Sequence, residues 1–125
     1  MTELKIDRIQ IEISLPSKYP YEPPFVRVIK PKIQRWTGHI TDGGSFCSEI
    51  LTGQAWRPVM NIEGLIFQFV REMAYDSADG RVARIDRDAK PDFEYSLSDA
   101  IASHAIALRT HRVEWKLTDA DFKYK

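Results

Sequence analysis

The sequence has little of several features that mark common classes of protein. One cysteine excludes an intrachain disulfide and is typical of an intracellular chain. Lysine plus arginine and aspartate plus glutamate number 18 each, so no net charge favours nucleic acid or an anionic membrane. No apolar run approaches the ~20 residues of a membrane-spanning helix, and the first residues lack the apolar core of a signal peptide. We therefore expect a cytoplasmic or nuclear protein.

What is present is typical of a globular domain. The chain has 125 residues, of which 43% are hydrophobic and 29% charged. This length predicts a single domain, residues 1–125, with one modest core.

Two segments predict β-strands. Residues 6–15 alternate apolar and polar side chains, the period of a half-buried strand. Residues 16–24 hold four prolines and predict a rigid connection. Residues 25–29 are rich in β-branched side chains and predict the second strand. Two strands alone make a marginal sheet.

Residues 32–58 show neither period, and a loop of this length in a compact domain is usually functional or disordered. We predict an ordered, irregular loop with one helical turn after Cys47. The apolar residues that argue against disorder are Trp36, Ile40, Phe46, Ile50, Leu51 and Trp56.

Two helices follow. Asn61 is a good N-cap, and the next residues form an apolar stripe that predicts a helix packed on the core. Ser96-x-x-Asp99 resembles a capping box and predicts a last helix to about Trp115, followed by a frayed tail. The stripe consists of Ile62, Leu65, Ile66, Phe69, Val70 and Met73.

Cys47 is the candidate nucleophile. A lone cysteine is more often a small buried apolar residue, but Gly43 and Gly44 can bring backbone N–H groups close to a reacting atom. His39, eight residues upstream, could donate a hydrogen bond to an oxyanion. A papain-like hydrolase stays open and requires a histidine within hydrogen-bond reach of Cys47. The spacing of the cysteine and the histidines does not match a metal site. The sequence also contains no phosphate-binding motif, so we expect no cofactor.

Three blocks, in order and spacing, resemble one known family. Residues 19–28, YPYEPPFVRV, resemble the YPxxPPxVxF signature of ubiquitin-conjugating enzymes. Gly44-x-x-Cys47-x-Glu49-Ile50-Leu51 resembles their active-site motif, and Trp56-x-Pro58 before a capped apolar helix is similar to the next segment of that family. The glycine pair and the Cys47-to-Trp56 spacing resemble the Q subfamily. The resemblance covers roughly residues 9–115.

The resemblance implies an α+β fold, the UBC fold, with a small antiparallel meander sheet packed on helices and a long ordered active-site loop. It implies that Cys47 carries a thioester and that Gly44 lies in its loop. His39 takes the place of the asparagine in the family's His-Pro-Asn triplet, and Asp79 falls near its acidic gate residue. It also implies a cis peptide between Pro23 and Pro24.

The family fold begins with an N-terminal helix and two strands that this sequence lacks, so we expect an N-terminally truncated form. That helix docks the ubiquitin-activating enzyme, so charging of this chain is in question. The strand at residues 6–15 would then be an edge, which invites cover by residues 1–5 or by a second copy in a homodimer.

Two functions are open at this point. The resemblance implies a transferase that takes ubiquitin, or a relative of ubiquitin, from the activating enzyme and works with a ubiquitin ligase. This hypothesis expects the Cys47 sulfur to lie open to solvent at an ordinary pKa. The alternative is a catalytically inactive module of the same fold that binds ubiquitin or a ligase.

Overall fold

The computed structural model describes residues 8–34, 37–74 and 82–122. Within these ranges it confirms an α+β fold, and no described helix has both the length and the apolar character needed to cross a membrane. The strands are β1, Gln10–Ser14, and β2, Phe25–Lys30; the helices are α1, Ile62–Ala74, and α2, Leu97–Thr110; short 3₁₀ helices span Glu49–Leu51 and Asp119–Phe122.

The two strands pair antiparallel, with Ile11 opposite Val28. Of the predicted strand at 6–15, residues 6 and 7 lie outside the described residues, and the structure forms a strand at Gln10–Ser14. The register is irregular between Gln10 and Ile11. On the far side of β2, the Val28 N–H donates to the Gly44 carbonyl at 2.7 Å. The loop before Cys47 therefore serves as an irregular third strand. The other edge of β1 pairs with no strand in the described ranges, so cover of this edge stays a prediction.

The core confirms that the long loop is ordered where it is described. The loop contributes large apolar side chains to the same cluster as β2 and α1, which leaves it little freedom to move. The buried members of this cluster are Val26, Val28, Ile33, Ile40, Phe46, Leu51, Leu65, Phe69, Met73 and Tyr95.

Helix α1 begins as predicted, because the Asn61 side chain accepts the Gly64 N–H at 2.7 Å. The prediction that its whole apolar stripe lies in the core is wrong for two members. Ile66 is 41% exposed and Val70 is 53% exposed. The two-stranded sheet is too narrow to cover them, and they line an open apolar groove beside Ile9 and Ile11 of the β1 side.

The end of the chain differs from the prediction. Ser96 caps α2 by accepting the Asp99 N–H, but the helix ends at Thr110 with His111 as its C-cap. A turn follows, in which Lys116 has a φ of 54°. The segment Asp119–Phe122 is not frayed. Phe122 packs on the C-terminal part of α2, and the buried Asp121 carboxylate accepts the N–H groups of Gly53 and Thr118.

The predicted cis peptide between Pro23 and Pro24 is also wrong. Cis peptide bonds are found at Tyr19–Pro20 and Lys30–Pro31. The chain reverses earlier than expected, at residues 16–22, where the Tyr19 N–H donates to the Pro16 carbonyl at 3.0 Å.

Candidate active site

The loop before Cys47 is fixed by a tight turn over an aromatic ring. The Gly44 N–H donates to the Thr41 carbonyl at 2.9 Å, and Gly44 has a φ of +93°, which favours glycine. A Cβ atom at Gly44 would overlap the ring of Tyr95. The Tyr95 hydroxyl accepts the Ile33 N–H at 2.8 Å, which holds the ring in place. Because the Gly44 N–H is used inside the turn, the role that the structure shows for Gly44 is conformational.

Cys47 is held by its backbone. The Phe46 N–H donates to the Val26 carbonyl at 2.8 Å, and the Cys47 N–H donates to the His39 carbonyl at 2.8 Å. His39 has a φ of 61°, a left-handed conformation that histidine tolerates better than most side chains. The structure therefore brings His39 and Cys47 together through the main chain, and His39 itself is exposed.

The solvent exposure and the pKa of Cys47 both differ from the expectation. Cys47 is 7% exposed, and burial, followed by the negative charge of Glu72, raises its pKa to about 12. The predictions of a sulfur open to solvent and of an ordinary pKa are therefore both wrong in this conformation. The main-chain bonds at Phe46 and Cys47 hold the loop in a conformation in which the Cys47 side chain is covered.

Glu72 is the residue at this site that the sequence analysis missed. Its Oε1 atom accepts the Ser48 hydroxyl at 3.1 Å and the Gln68 side-chain amide at 2.8 Å. Its Oε2 atom is shielded from solvent and has no hydrogen-bond partner among the described residues. The available signal was the spacing of Gln68 and Glu72, which places both on one face of α1.

The histidines do not support a papain-like pair. A neighbouring imidazolium lowers the pKa of a catalytic cysteine, whereas the pKa of Cys47 is raised. His104 is buried edge-on against the ring of Phe25, and burial lowers its pKa to about 4. His111 stacks on Trp115, so the ring contacts of both His104 and His111 are with aromatic side chains.

Asp79, which falls near the acidic gate residue of the family, lies outside the described residues. Within the three described ranges, no group of histidine, cysteine, aspartate and glutamate side chains is arranged to hold a metal ion.

A family model described as "Ubiquitin-conjugating enzyme" matches residues 5–95. The chain belongs to this family. Among curated relatives, it is 32% identical over 111 residues to the Drosophila melanogaster ubiquitin-conjugating enzyme E2 Q-like protein CG4502, covering 89% of this chain and 34% of that protein. It is 30% identical over 111 residues to the human ubiquitin-conjugating enzyme E2 Q-like protein 1, covering 89% and 65%.

A third relative is the Caenorhabditis elegans ubiquitin-conjugating enzyme E2 25, with 35% identity over 105 residues, covering 84% of this chain and 25% of that protein. These relatives place the chain in the Q subfamily and confirm the UBC fold. The chain spans less than two thirds of the length of each of them. The activity of a whole ubiquitin-conjugating enzyme is therefore a separate question for this chain.

Proposed function

We propose that Cys47 carries ubiquitin, or a ubiquitin-like protein, as a thioester and transfers it to a substrate amine. The observation that carries the proposal is the cysteine itself. A member of the ubiquitin-conjugating enzyme family holds it at the family's active-site motif, clamped by the His39 carbonyl and the turn at Gly44. The turn belongs to the loop that the family uses for this chemistry, and the bonds of that loop fix the sulfur relative to β2 and α1.

The reaction is two acyl transfers. In the first, the Cys47 thiolate attacks the thioester carbonyl of the modifier on an activating enzyme, and the enzyme's sulfur leaves. In the second, an amine attacks the carbonyl on Cys47, a C–N bond forms and the C–S bond breaks. Thioesters are reactive enough that positioning and oxyanion stabilisation do most of the work. The His39 ring and the backbone N–H groups near Gly43 are the oxyanion donors of this proposal, and Asp79 is its gate residue.

The buried sulfur defines a resting state. Burial raises the pKa of Cys47, so little of the thiol is ionised at pH 7. Charging therefore requires a local opening that uncovers Cys47 and lowers its pKa. The proposed partners are an activating enzyme and a ubiquitin ligase, in the cytoplasm or nucleus.

Burial of Cys47 is also the observation that favours the second candidate, a non-catalytic module. A UBC fold with an inaccessible thiol can still bind ubiquitin or a ligase through its surface. The two candidates make different demands on one atom. Transfer requires the Cys47 sulfur, whereas surface binding is indifferent to it.

The test is incubation with activating enzyme, ATP and labelled ubiquitin, followed by electrophoresis without reductant. The proposal expects an adduct that reductant removes and that Cys47→Ser does not form in reducible form. No adduct, together with ubiquitin binding that Cys47→Ala leaves unchanged, would replace the transferase with the binding module. Cys47→Ala keeps a small apolar side chain in the core, so it is a fair control for folding.

A further inference from the structure

The Glu72 carboxylate stands beside the proposed nucleophile on an adjacent element. It lies in the last turns of α1, and its Oε1 atom is bound at 3.1 Å by the hydroxyl of Ser48, the residue that follows Cys47. Gln68, one turn earlier on α1, donates to the same oxygen at 2.8 Å. Two hydrogen bonds therefore hold the carboxylate in a fixed orientation, and its charge reaches the Cys47 sulfur.

The second oxygen of Glu72 keeps an unused hydrogen-bonding capacity. Oε2 is buried and accepts no hydrogen bond from any described residue. A buried acceptor without a hydrogen bond destabilises the fold, so native proteins rarely keep one without a reason. A group that carries N–H bonds and reaches this oxygen during a reaction would satisfy it.

We propose that Glu72 relays a proton from the attacking amine to the departing Cys47 sulfur, an inference that rests on the proposed function. The neutral amine nitrogen attacks the thioester carbonyl and forms the C–N bond. Oε2 accepts the proton that this nitrogen must lose. The C–S bond breaks, the electron pair stays on sulfur, and the proton passes from Oε2 to sulfur, which restores the thiol and the carboxylate.

The environment suits this order of events. The negative charge of Glu72 disfavours a thiolate beside it, so a departing sulfur needs a proton close at hand. Ser48 and Gln68 both bind Oε1, which leaves Oε2 as the oxygen that can take a proton. General acid–base catalysis by a positioned side chain contributes about 10²–10⁴-fold to a rate.

The test loads Cys47 chemically, so it does not depend on an activating enzyme. Exchange with an aryl thioester of acetylglycine places the acyl group on the sulfur of the wild-type chain and of Glu72→Gln. Gln keeps Oε1 as an acceptor for Ser48 and Gln68 but cannot take a proton. Discharge is then followed by mass spectrometry with free lysine and, separately, with 2-mercaptoethanol.

We expect Glu72→Gln to slow discharge to lysine by about 100-fold. Discharge to the thiol should change by less than about tenfold, because a thiolate attacks without losing a proton. Glu72→Asp should recover part of the lysine rate. Glu63→Gln removes an exposed carboxylate in the first turn of α1, outside the active-site motif, and should match the wild type.

Three results would overturn the relay. Equal lysine discharge in wild type and Glu72→Gln would leave Cys47 as the acyl carrier without help from Glu72. An equal loss with lysine and with the thiol would reduce Glu72 to a structural role. Cys47 that takes no acyl group in either chain would remove the thioester on which the relay acts. Failure with an activating enzyme alone would bear on the proposed function and not on these outcomes.

Discussion

The segments on the two sides of helix α1 differ in how deeply they are buried, and the difference is the opposite of what their sequence patterns suggest. On one side lies the loop around Cys47, which has no helical or strand period, yet its Phe46 is 0% exposed. On the other side lies β1, which has a regular alternation, yet the neighbouring Ile9 is 39% exposed. Periodicity predicted the secondary structure of each segment, but it did not predict which segment is more deeply buried.

Hydrogen bonds explain the difference. The loop is bonded to β2 through Val26 and Val28 and is packed beneath by Tyr95, so it has neighbours on two sides. Strand β1 has β2 on one side and, in the described ranges, no strand on the other. A segment with few buried contacts opens locally at low free energy, whereas a doubly supported loop opens with the core.

The largest expected effect is a loss of stability on truncation of Phe46 in the loop. Phe46→Ala removes a ring that packs edge-on against Phe69 with centroids 4.7 Å apart, and it should lower the free energy of unfolding by roughly 3–5 kcal/mol. Ile9→Ala, on the regular side, should lower it by less than about 1 kcal/mol. Urea unfolding followed by tryptophan fluorescence measures both. Similar losses in the two variants would show that the loop is no better packed than the edge.

Most of the fold could be predicted from the sequence, for identifiable reasons. Both helix starts depend on a side chain and an N–H group three residues apart, at Asn61 and Ser96, which is local information. Exposure of Ile66 could not be predicted in this way, because helical spacing marks an apolar face without saying how wide its partner is. The same limit applies to Phe122, which meets α2 only in the folded chain.

The site was predictable in part. Cys47 and its turn belong to a contiguous motif, so one stretch of sequence predicted their association. Burial of the sulfur and the approach of Glu72 depend on how α1 packs on the loop, 25 residues apart in the chain. No spacing within the motif carries that information.

A second test uses acid, because α2 holds a buried ionisable ring, His104, which packs against Phe25 of β2. Burial lowers the pKa of His104 from 6.5 to about 4, so the unfolded chain binds its proton first as pH falls. The contribution of neutral His104 to the free energy of unfolding is fully present above pH 6.5. It falls by about 1.4 kcal/mol per pH unit as the pH drops from 6.5 to 4. Urea unfolding at pH 7 and pH 5 should differ by about 2 kcal/mol from this group alone.

His104→Gln removes the titration and should flatten that slope. Carboxylates also contribute to acid unfolding in both chains. The effect of His104 is therefore the difference in pH slope between the wild type and the variant. An identical slope in the two chains would mean that His104 is not buried as a neutral ring.

The smallest effect tests the backbone of the loop at His39. Its φ of 61° is tolerated by asparagine and histidine but is a strained conformation for a β-branched residue. His39→Asn should leave the free energy of unfolding within about 0.5 kcal/mol of wild type, whereas His39→Val should lower it by about 1 kcal/mol. Because the His39 carbonyl accepts the Cys47 N–H, amide exchange at Cys47 should be faster in the valine variant only. Equal exchange in both variants would show that the loop is held by its burial, and that the left-handed residue contributes nothing to its order.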